Sequence, residues 1–329
     1  MEPDDMLITC NQRRVPYVLE DGSKQFVRCF LVQTPGTQNT FSIFLHGPHA
    51  IMDGRPTLLA FSLLLSFMSE STVPLAGLDW GTEWKNLPAG PVTATGGPRP
   101  NWETEAVPLL EKIREIYANP VPTHSLVPLR SEVRVHGRPV RVRKKIDRET
   151  TRRILAQVKA EGFSVTHLFE AAQVLAILAH NPVPEEQAEQ AHVTFAMSVI
   201  SLAKWRVPPY DDKNQLISEM GTVPIRVPYK DIPKSSPPRD RLLAVMYCVK
   251  SQYDEYIVNP HFPHLLAAQM RTAPIRQPRS VGLANFITNV GAIENILPMK
   301  WYTDDPSSPR PVFDILSTSF GHRVIFPSP

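Results

Sequence analysis

The sequence predicts a mixed α/β fold, and three observations support that prediction. Short stretches in which apolar and polar residues alternate, as in strands, are interspersed with longer stretches of helical periodicity. The chain has 329 residues, of which 42% are hydrophobic and 20% charged, values typical of a folded protein with a sizeable core. Neither an internal repeat nor a βαβ fingerprint is present, so a mixed sandwich fits better than a solenoid or a propeller.

The N-terminal part of the chain should contain strands followed by a buried helix. Strands are expected over 15–19, 26–32 and 41–45, because turn-forming residues separate these stretches. A helix is expected from Pro56 to Met68, where leucine and phenylalanine occur all round the helical wheel. A helix of that composition packs against other elements on both sides.

A proline-rich stretch comes next. Proline accounts for 34 of the 329 residues, about twice its usual share, and many of these lie in 74–128. One amphipathic helix is expected there, over 107–117. Because a compact domain rarely contains an unstructured loop of such length, we interpret the stretch as a crossover between two lobes, 1–128 and 129–329.

The second lobe should begin with a hairpin and then alternate helices and strands. The expected elements are a hairpin that ends at Ile146, helices over 149–161 and 166–180, strands over 193–200 and 222–227, a helix over 237–258, and strands over 286–290 and 312–320. Thr166 is the expected N-cap of the second of these helices, and Ser236 is the expected N-cap of the third.

Composition argues against several classes of protein. Three scattered cysteines cannot form a disulfide framework, and no cysteine–histidine spacing typical of zinc sites is present. The acidic start is unlike a secretory signal, and the longest apolar stretch is far shorter than the roughly 20 residues that cross a bilayer. We therefore expect a cytoplasmic protein with no membrane partner and no metal site.

The most informative motif is His-Ala-Ile-Met-Asp-Gly, from His49 to Gly54, between an expected strand and the buried helix. Histidine side chains titrate near neutral pH, so one in a loop can take a proton from a hydroxyl or amine that attacks a carbonyl. Asp53 is close enough in sequence to hold the loop, and a glycine allows a sharp turn. The alternative is a strand-to-helix turn in which the His and Asp side chains only cap each other.

This motif resembles the HxxxDG active-site motif of CoA-dependent acyltransferases with the chloramphenicol acetyltransferase-like fold. That group includes BAHD acyltransferases, trichothecene O-acetyltransferases and condensation domains of nonribosomal peptide synthetases. Three further stretches are similar to the family in pattern and in order: the strand over 41–45, the helix pair over 152–178 and the segment NFITNVGAI over 285–293. The Asp-Phe-Gly-Trp-Gly motif of plant members is absent, which favours the fungal or condensation-like branches.

The resemblance implies a two-lobed α/β sandwich with the active site between the lobes. His49 would be the general base, Asp53 would hold the loop and Gly54 would keep the approach open. The reaction would move an acyl group from acyl-CoA, as co-substrate, or from an acyl carrier protein to a hydroxyl or amine of a small specialised metabolite. The same resemblance implies that Asn285, Thr288 and Asn289 line the substrate tunnel. The alternative is that they are polar residues at the edge of a sheet.

Alternatives remain open at this stage. The chain could be a condensation-like protein that acts on a carrier-bound chain or in cyclisation, or a non-catalytic scaffold that retains the motif. His46 competes with His49 for the catalytic role, although its spacing to Asp53 differs from the motif. His261 and His264 lie three residues apart, but the prolines around them disfavour a helix and no third metal ligand is evident.

Two further expectations concern the basic stretch and the ends of the chain. Residues 130–153 include ten basic and three acidic side chains, which could attract phosphates or an acidic carrier protein, or could be a solvated hairpin face. Nucleic acid is not an expected partner, because aromatic residues are not interleaved with the basic ones. Members of the resembled fold are longer at both ends, so we expect both lobes to be incomplete and the chain to act as a monomer or with a complementing partner chain.

Overall fold

A computed structural model describes residues 3–49, 52–70, 81–82, 85, 87–119, 121–127, 141–212, 215–271, 287–303, 307 and 310–321. The α-helices of these residues are α1 (Pro3–Gln12), α2 (Gly54–Ser69), α3 (Pro91–Ala94), α4 (Trp102–Glu105), α5 (Val107–Ala118), α6 (Arg148–Ala160), α7 (Val165–His180), α8 (Pro238–Val258) and α9 (Phe262–Arg271). The strands are β1 (Tyr17–Val18), β2 (Lys24–Gln25), β3 (Arg28–Gln33), β4 (Phe41–His46), β5 (His192–Ser201), β6 (Met220–Pro228), β7 (Lys300–Trp301) and β8 (Phe313–Asp314). The protein therefore mixes helix and sheet, as the sequence predicts.

Each strand pairs antiparallel with one neighbour, in the order β1–β2, β3–β4, β5–β6 and β7–β8. The β3–β4 hairpin runs in unbroken register from Arg28 opposite His46 to Gln33 opposite Phe41. The β5–β6 pair is longer, and its register shifts between Phe195 and Ser198. Such an irregularity bends a strand and re-aims the side chains beside it.

The larger core forms where α5, α7, α8 and α9 pack around β5 and β6. Among the fully buried side chains of this core are Ile113, Val174 and Val249 on three of these helices, and Ile225 on β6. Full burial of such a side chain is worth about 1.5–3 kcal/mol, so this cluster contributes most of the hydrophobic stabilisation among the described residues. Helix α5, expected within the crossover, packs into this core.

The smaller core lies beneath α2. Leu58 and Leu65, one face of that helix, are buried together with Leu297 from the C-terminal part of the chain. Ile43 from β4 and Phe313 from β8 pack against them. Helix α2 thus packs against both the N-terminal hairpin and the last strands, but Phe67 and Met68 near its end are exposed, so it is not buried all round as its composition predicts.

Several expected elements are confirmed and others are wrong. Helices α5, α6 and α8 and strands β3 to β6 lie where the sequence predicts them. The N-cap of α7 is Ser164 rather than Thr166: its Oγ accepts from the N–H of His167, whose Nδ1 accepts from the Ser164 N–H. The N-cap position of α8 is occupied by Pro237, not Ser236.

The later strand expectations fail. Residues 287–290 form no strand, and of 312–320 only Phe313–Asp314 is a strand. Most of the expected hairpin that ends at Ile146 lies outside the described residues, and the part from 141 to 147 is not a strand. A helix does form directly after His261: Pro260 precedes α9, and Pro263 occupies its first turn, where the missing N–H is not needed.

Among the described residues, no single helix is both long and apolar enough to cross a membrane. Helices α6 and α7 pass that test of length and composition only as a pair, bent by 98° at the break between them.

Candidate functional site

The HxxxDG motif occupies the connection between β4 and α2. Strand β4 ends at His46, and Gly47 follows it; an added Cβ on Gly47 would lie 2.7 Å from the Met52 sulfur and 3.1 Å from the Phe26 carbonyl oxygen. Only glycine fits that space without a shift of its neighbours. The Met52 N–H then donates to the Pro48 carbonyl at 3.0 Å, which closes the loop around His49.

His49 lies exposed in this loop, whereas Ala50 and Ile51, which follow it, lie outside the described residues. An exposed imidazole between a strand end and a helix start can be approached by a small molecule from solvent. That is the minimum requirement for a general base.

Asp53 is the N-cap of α2. Its Oδ1 accepts a hydrogen bond from the Gly54 N–H at 2.7 Å, and its carbonyl accepts from the Thr57 N–H at 3.0 Å. Its Oδ2 accepts from Ser218 Oγ at 3.2 Å, a residue 165 positions further along the chain. Both carboxylate oxygens are thus engaged in holding the loop, which anchors it to the helix start and to the approach to β6.

A buried ion pair, Arg206–Glu219, lies next to Ser218 in the segment before β6. The Arg206 Nε donates to the Glu219 carboxylate, and the Arg206 Nη1 donates to the Asp212 carbonyl at 3.0 Å. Burial raises the pKa of Glu219, while Arg206 and Arg55 act to lower it. Asp53 acts to raise it, which places the motif carboxylate in the same electrostatic neighbourhood as the pair.

The segment 287–291 lies beside the motif. An added Cβ on Gly54 would lie 3.9 Å from a Val290 methyl carbon, an ordinary van der Waals contact. Asn289 Nδ2 donates to Thr166 Oγ1 at 3.3 Å, and its Oδ1 accepts from the Gly291 N–H at 2.9 Å. The segment therefore connects the start of α2 to the first turn of α7.

Two of the three expected tunnel residues are described. Thr288 and Asn289 are exposed, and Asn289 uses its amide to fix the segment. Asn285 lies outside the described residues. The segment lies beside the motif, but the strand expected there does not form.

His46, the competitor for the catalytic role, is already engaged. Its Nδ1 is hydrogen-bonded to the hydroxyl of Tyr17, whose ring lies edge-on to the imidazole at 5.6 Å between centroids. Burial, and secondarily the charge of Arg13, lowers the pKa of His46. This histidine therefore ties β1 to the end of β4.

A buried acid in the larger core was missed by sequence reasoning. Glu170 on α7 is 1% exposed, and its Oε1 accepts from Ser198 Oγ at 2.7 Å and from the Tyr253 hydroxyl at 2.9 Å. Burial raises its pKa against these two hydrogen bonds. The sequence did contain a sign of it: Glu170 is a lone carboxylate in a nearly all-apolar helix, four residues after Thr166 and therefore on the same helix face.

The histidines of α9 and its start are buried side by side. His261 Nε2 lies 3.2 Å from Glu105 Oε2, and the Trp102 ring stands edge-on to its imidazole. Burial, together with the smaller effects of the charges of Arg99 and His261, lowers the pKa of His264 to about 4. No group of three histidine, cysteine, aspartate or glutamate side chains placed to bind a metal occurs in the described part of the chain.

The comparisons with known proteins give no relative. No protein-family model, no curated protein and no solved structure matches the chain.

Proposed function

We propose that the chain is an acyltransferase that moves an acyl group from a CoA or carrier-protein thioester to a hydroxyl or amine of a small metabolite. The observation that carries the proposal is the division of roles within the motif. The carboxylate of Asp53 holds the loop through Gly54 and Ser218, and His49 is an exposed residue of the same loop. This matches the roles that the resemblance to the chloramphenicol acetyltransferase-like fold implies.

The proposed chemistry needs one base and no covalent enzyme intermediate. His49 takes the proton of the acceptor hydroxyl or amine as its oxygen or nitrogen attacks the thioester carbonyl carbon. The tetrahedral intermediate then collapses, the carbon–sulfur bond breaks, and the imidazolium returns the proton to the leaving thiolate. General-base catalysis of this kind contributes about 10²–10⁴ in rate.

The proposed active site lies where two parts of the chain meet at the motif. Ser218, just before β6, approaches Asp53, and Val290, in the C-terminal part of the chain, approaches Gly54. Such a meeting point supports the expectation that the active site lies between two lobes. Thr288, exposed beside it, is available to a bound acceptor.

The test combines two variants with two donors. The full chain is incubated with acetyl-CoA, or with an acyl-loaded carrier protein, and a panel of small alcohols and amines. Thiol release is followed with a chromogenic reagent, and acylated products are identified by mass spectrometry. We expect His49→Ala to lose at least about 100-fold in rate. The matched control, His180→Ala, removes an exposed histidine at the end of α7 and should keep the wild-type rate.

The donor that releases thiol distinguishes a CoA-dependent enzyme from a condensation-like one. Equal rates in the wild type and in a folded His49→Ala variant would contradict the proposal. So would the absence of thiol release from either donor by the folded wild type.

A further inference from the structure

Two arginine side chains converge on one serine at the edge of the basic stretch. Arg141 Nη2 donates to Ser319 Oγ at 3.0 Å, and Arg143 Nη2 donates to the same oxygen at 3.1 Å. Asp4 on α1 lies nearby, with its Oδ1 3.4 Å from Arg141 and 3.6 Å from Arg143. Three parts of the chain that are far apart in sequence therefore meet at the Ser319 hydroxyl.

The charge at this meeting point is unbalanced. Two guanidinium groups face one carboxylate, which is 72% exposed and lies at the far limit of an ion pair. Lys144 and Lys145 follow in the same exposed stretch, and both are exposed. The hydroxyl oxygen of Ser319 is an uncharged acceptor at the focus of two cations, where an anionic acceptor would bind more strongly.

Ser319 is also accessible. It is exposed and lies in a segment, 315–321, that is neither helix nor strand. The segment rests on α1: an added Cβ on Gly321 would lie 2.6 Å from Asn11 Nδ2 and 2.9 Å from Leu7 Cδ1. A group attached to the Ser319 oxygen would therefore be held close to both arginines by a backbone that is already packed.

We propose that Ser319 is a phosphorylation site and that Arg141 and Arg143 hold the phosphate. A protein kinase supplies the reaction: Ser319 Oγ attacks the γ-phosphorus of ATP, the bond to ADP breaks, and the hydroxyl proton leaves to the kinase base. The phosphate then accepts charge-assisted hydrogen bonds from both guanidinium groups, and its negative charge repels the Asp4 carboxylate. Phosphorylation thereby ties the basic stretch to the segment 315–321.

The test uses the full chain with phosphoserine incorporated genetically at position 319. A matched control carries phosphoserine at Ser235, an exposed serine in the turn before α8. Phosphorus NMR against pH reports the second pKa of each phosphate, ordinarily about 6. Since two cations within hydrogen-bond distance favour the dianion, we expect that pKa to be lower at position 319 than at 235 by about one unit. Amide hydrogen exchange of 315–321 should slow in the same sample.

The arginine variants separate this site from general charge effects. In Arg141→Gln/Arg143→Gln the second pKa of phosphoserine 319 should return to the control value. Lys144→Gln/Lys145→Gln removes the same charge from the same stretch and should preserve most of the shift. Equal titration at positions 319 and 235 in the wild-type background would overturn the proposal. Arginine-dependent binding of inorganic phosphate by the unmodified chain, with no shift at 319, would assign the site to a free ligand and overturn it too.

Discussion

Glu170 should make the stability of the protein fall as pH rises, and Glu170→Gln should remove that dependence. Burial raises the pKa of this carboxyl above its usual value of 4.5, so folding favours the protonated form. Its Oε2 is buried and without a hydrogen-bond partner in the described structure, which leaves an ionised carboxylate only the two bonds on Oε1. The stabilisation is thus complete below the unfolded-state pKa and is lost as pH rises through the folded-state pKa.

The magnitude follows from proton linkage. One proton bound by the folded state and not by the unfolded state changes the free energy of unfolding by about 1.4 kcal/mol per pH unit. That is the largest slope Glu170 can contribute between its two pKa values. A glutamine keeps the acceptor for Ser198 and Tyr253 but does not titrate, so the glutamine side chain itself contributes the same free energy at every pH.

Urea unfolding of both proteins, from about pH 4.5 to about pH 8, measures this slope directly. The difference in unfolding free energy between Glu170→Gln and the wild type should shift in favour of the variant as pH rises. Other titrating groups, including Glu219, cancel in that difference. Ser198→Ala removes one hydrogen bond to the ionised form and should extend the pH-dependent range upward. Parallel curves for the wild type and Glu170→Gln would refute the reasoning.

Three further outcomes are expected. Gly47→Ala should lower the unfolding free energy by about 1–3 kcal/mol in chemical denaturation, because its Cβ would lie 3.1 Å from the Phe26 backbone oxygen as well as 2.7 Å from the Met52 sulfur; an unchanged midpoint would contradict this packing. Asp53→Ala should lower the unfolding free energy by about 1–2 kcal/mol because the helix cap is lost, and Ser218→Ala should lower it by less. Thermal unfolding measures both, and a larger loss in Ser218→Ala than in Asp53→Ala would contradict the prediction. Between pH 6.5 and about 4 the unfolded wild type binds a proton at His264 that the folded state excludes, so the wild type loses stability as the pH falls. In His264→Phe the unfolding free energy should fall less steeply over that range, and a fall as steep as that of the wild type would count against this prediction.

Local pattern predicts much of this fold. The alternation in β3 to β6 and the amphipathic face of α5 are signals that each element carries within itself. The cap of α7 shows the limit of such signals. Ser164 and Thr166 are both good capping residues, and the choice depends on the reciprocal bond of His167 to the Ser164 N–H, a detail of backbone geometry that composition does not encode.

The candidate site was only partly predictable, for a different reason. The motif is contiguous, so its position after β4 and before α2 could be predicted from sequence. Its supports are remote: Ser218 and Val290 carry no local feature that marks them as neighbours of Asp53 and Gly54. A strand was expected over 286–290, yet the described residues 287–290 form none, and Asn289 and Val290 contact the starts of two helices.

The 165-residue separation between Asp53 and Ser218 has a consequence for how the protein folds. Contacts between distant parts of a chain form late, because the entropy of closing the intervening loop must be overcome before the contact stabilises anything. Helix α2 can begin to form from its own sequence, but the loop that carries His49 acquires its second anchor only when the approach to β6 is in place. During refolding, the geometry around His49 should therefore appear after most helical signal has returned, so recovery of secondary structure and recovery of the site are separate kinetic events.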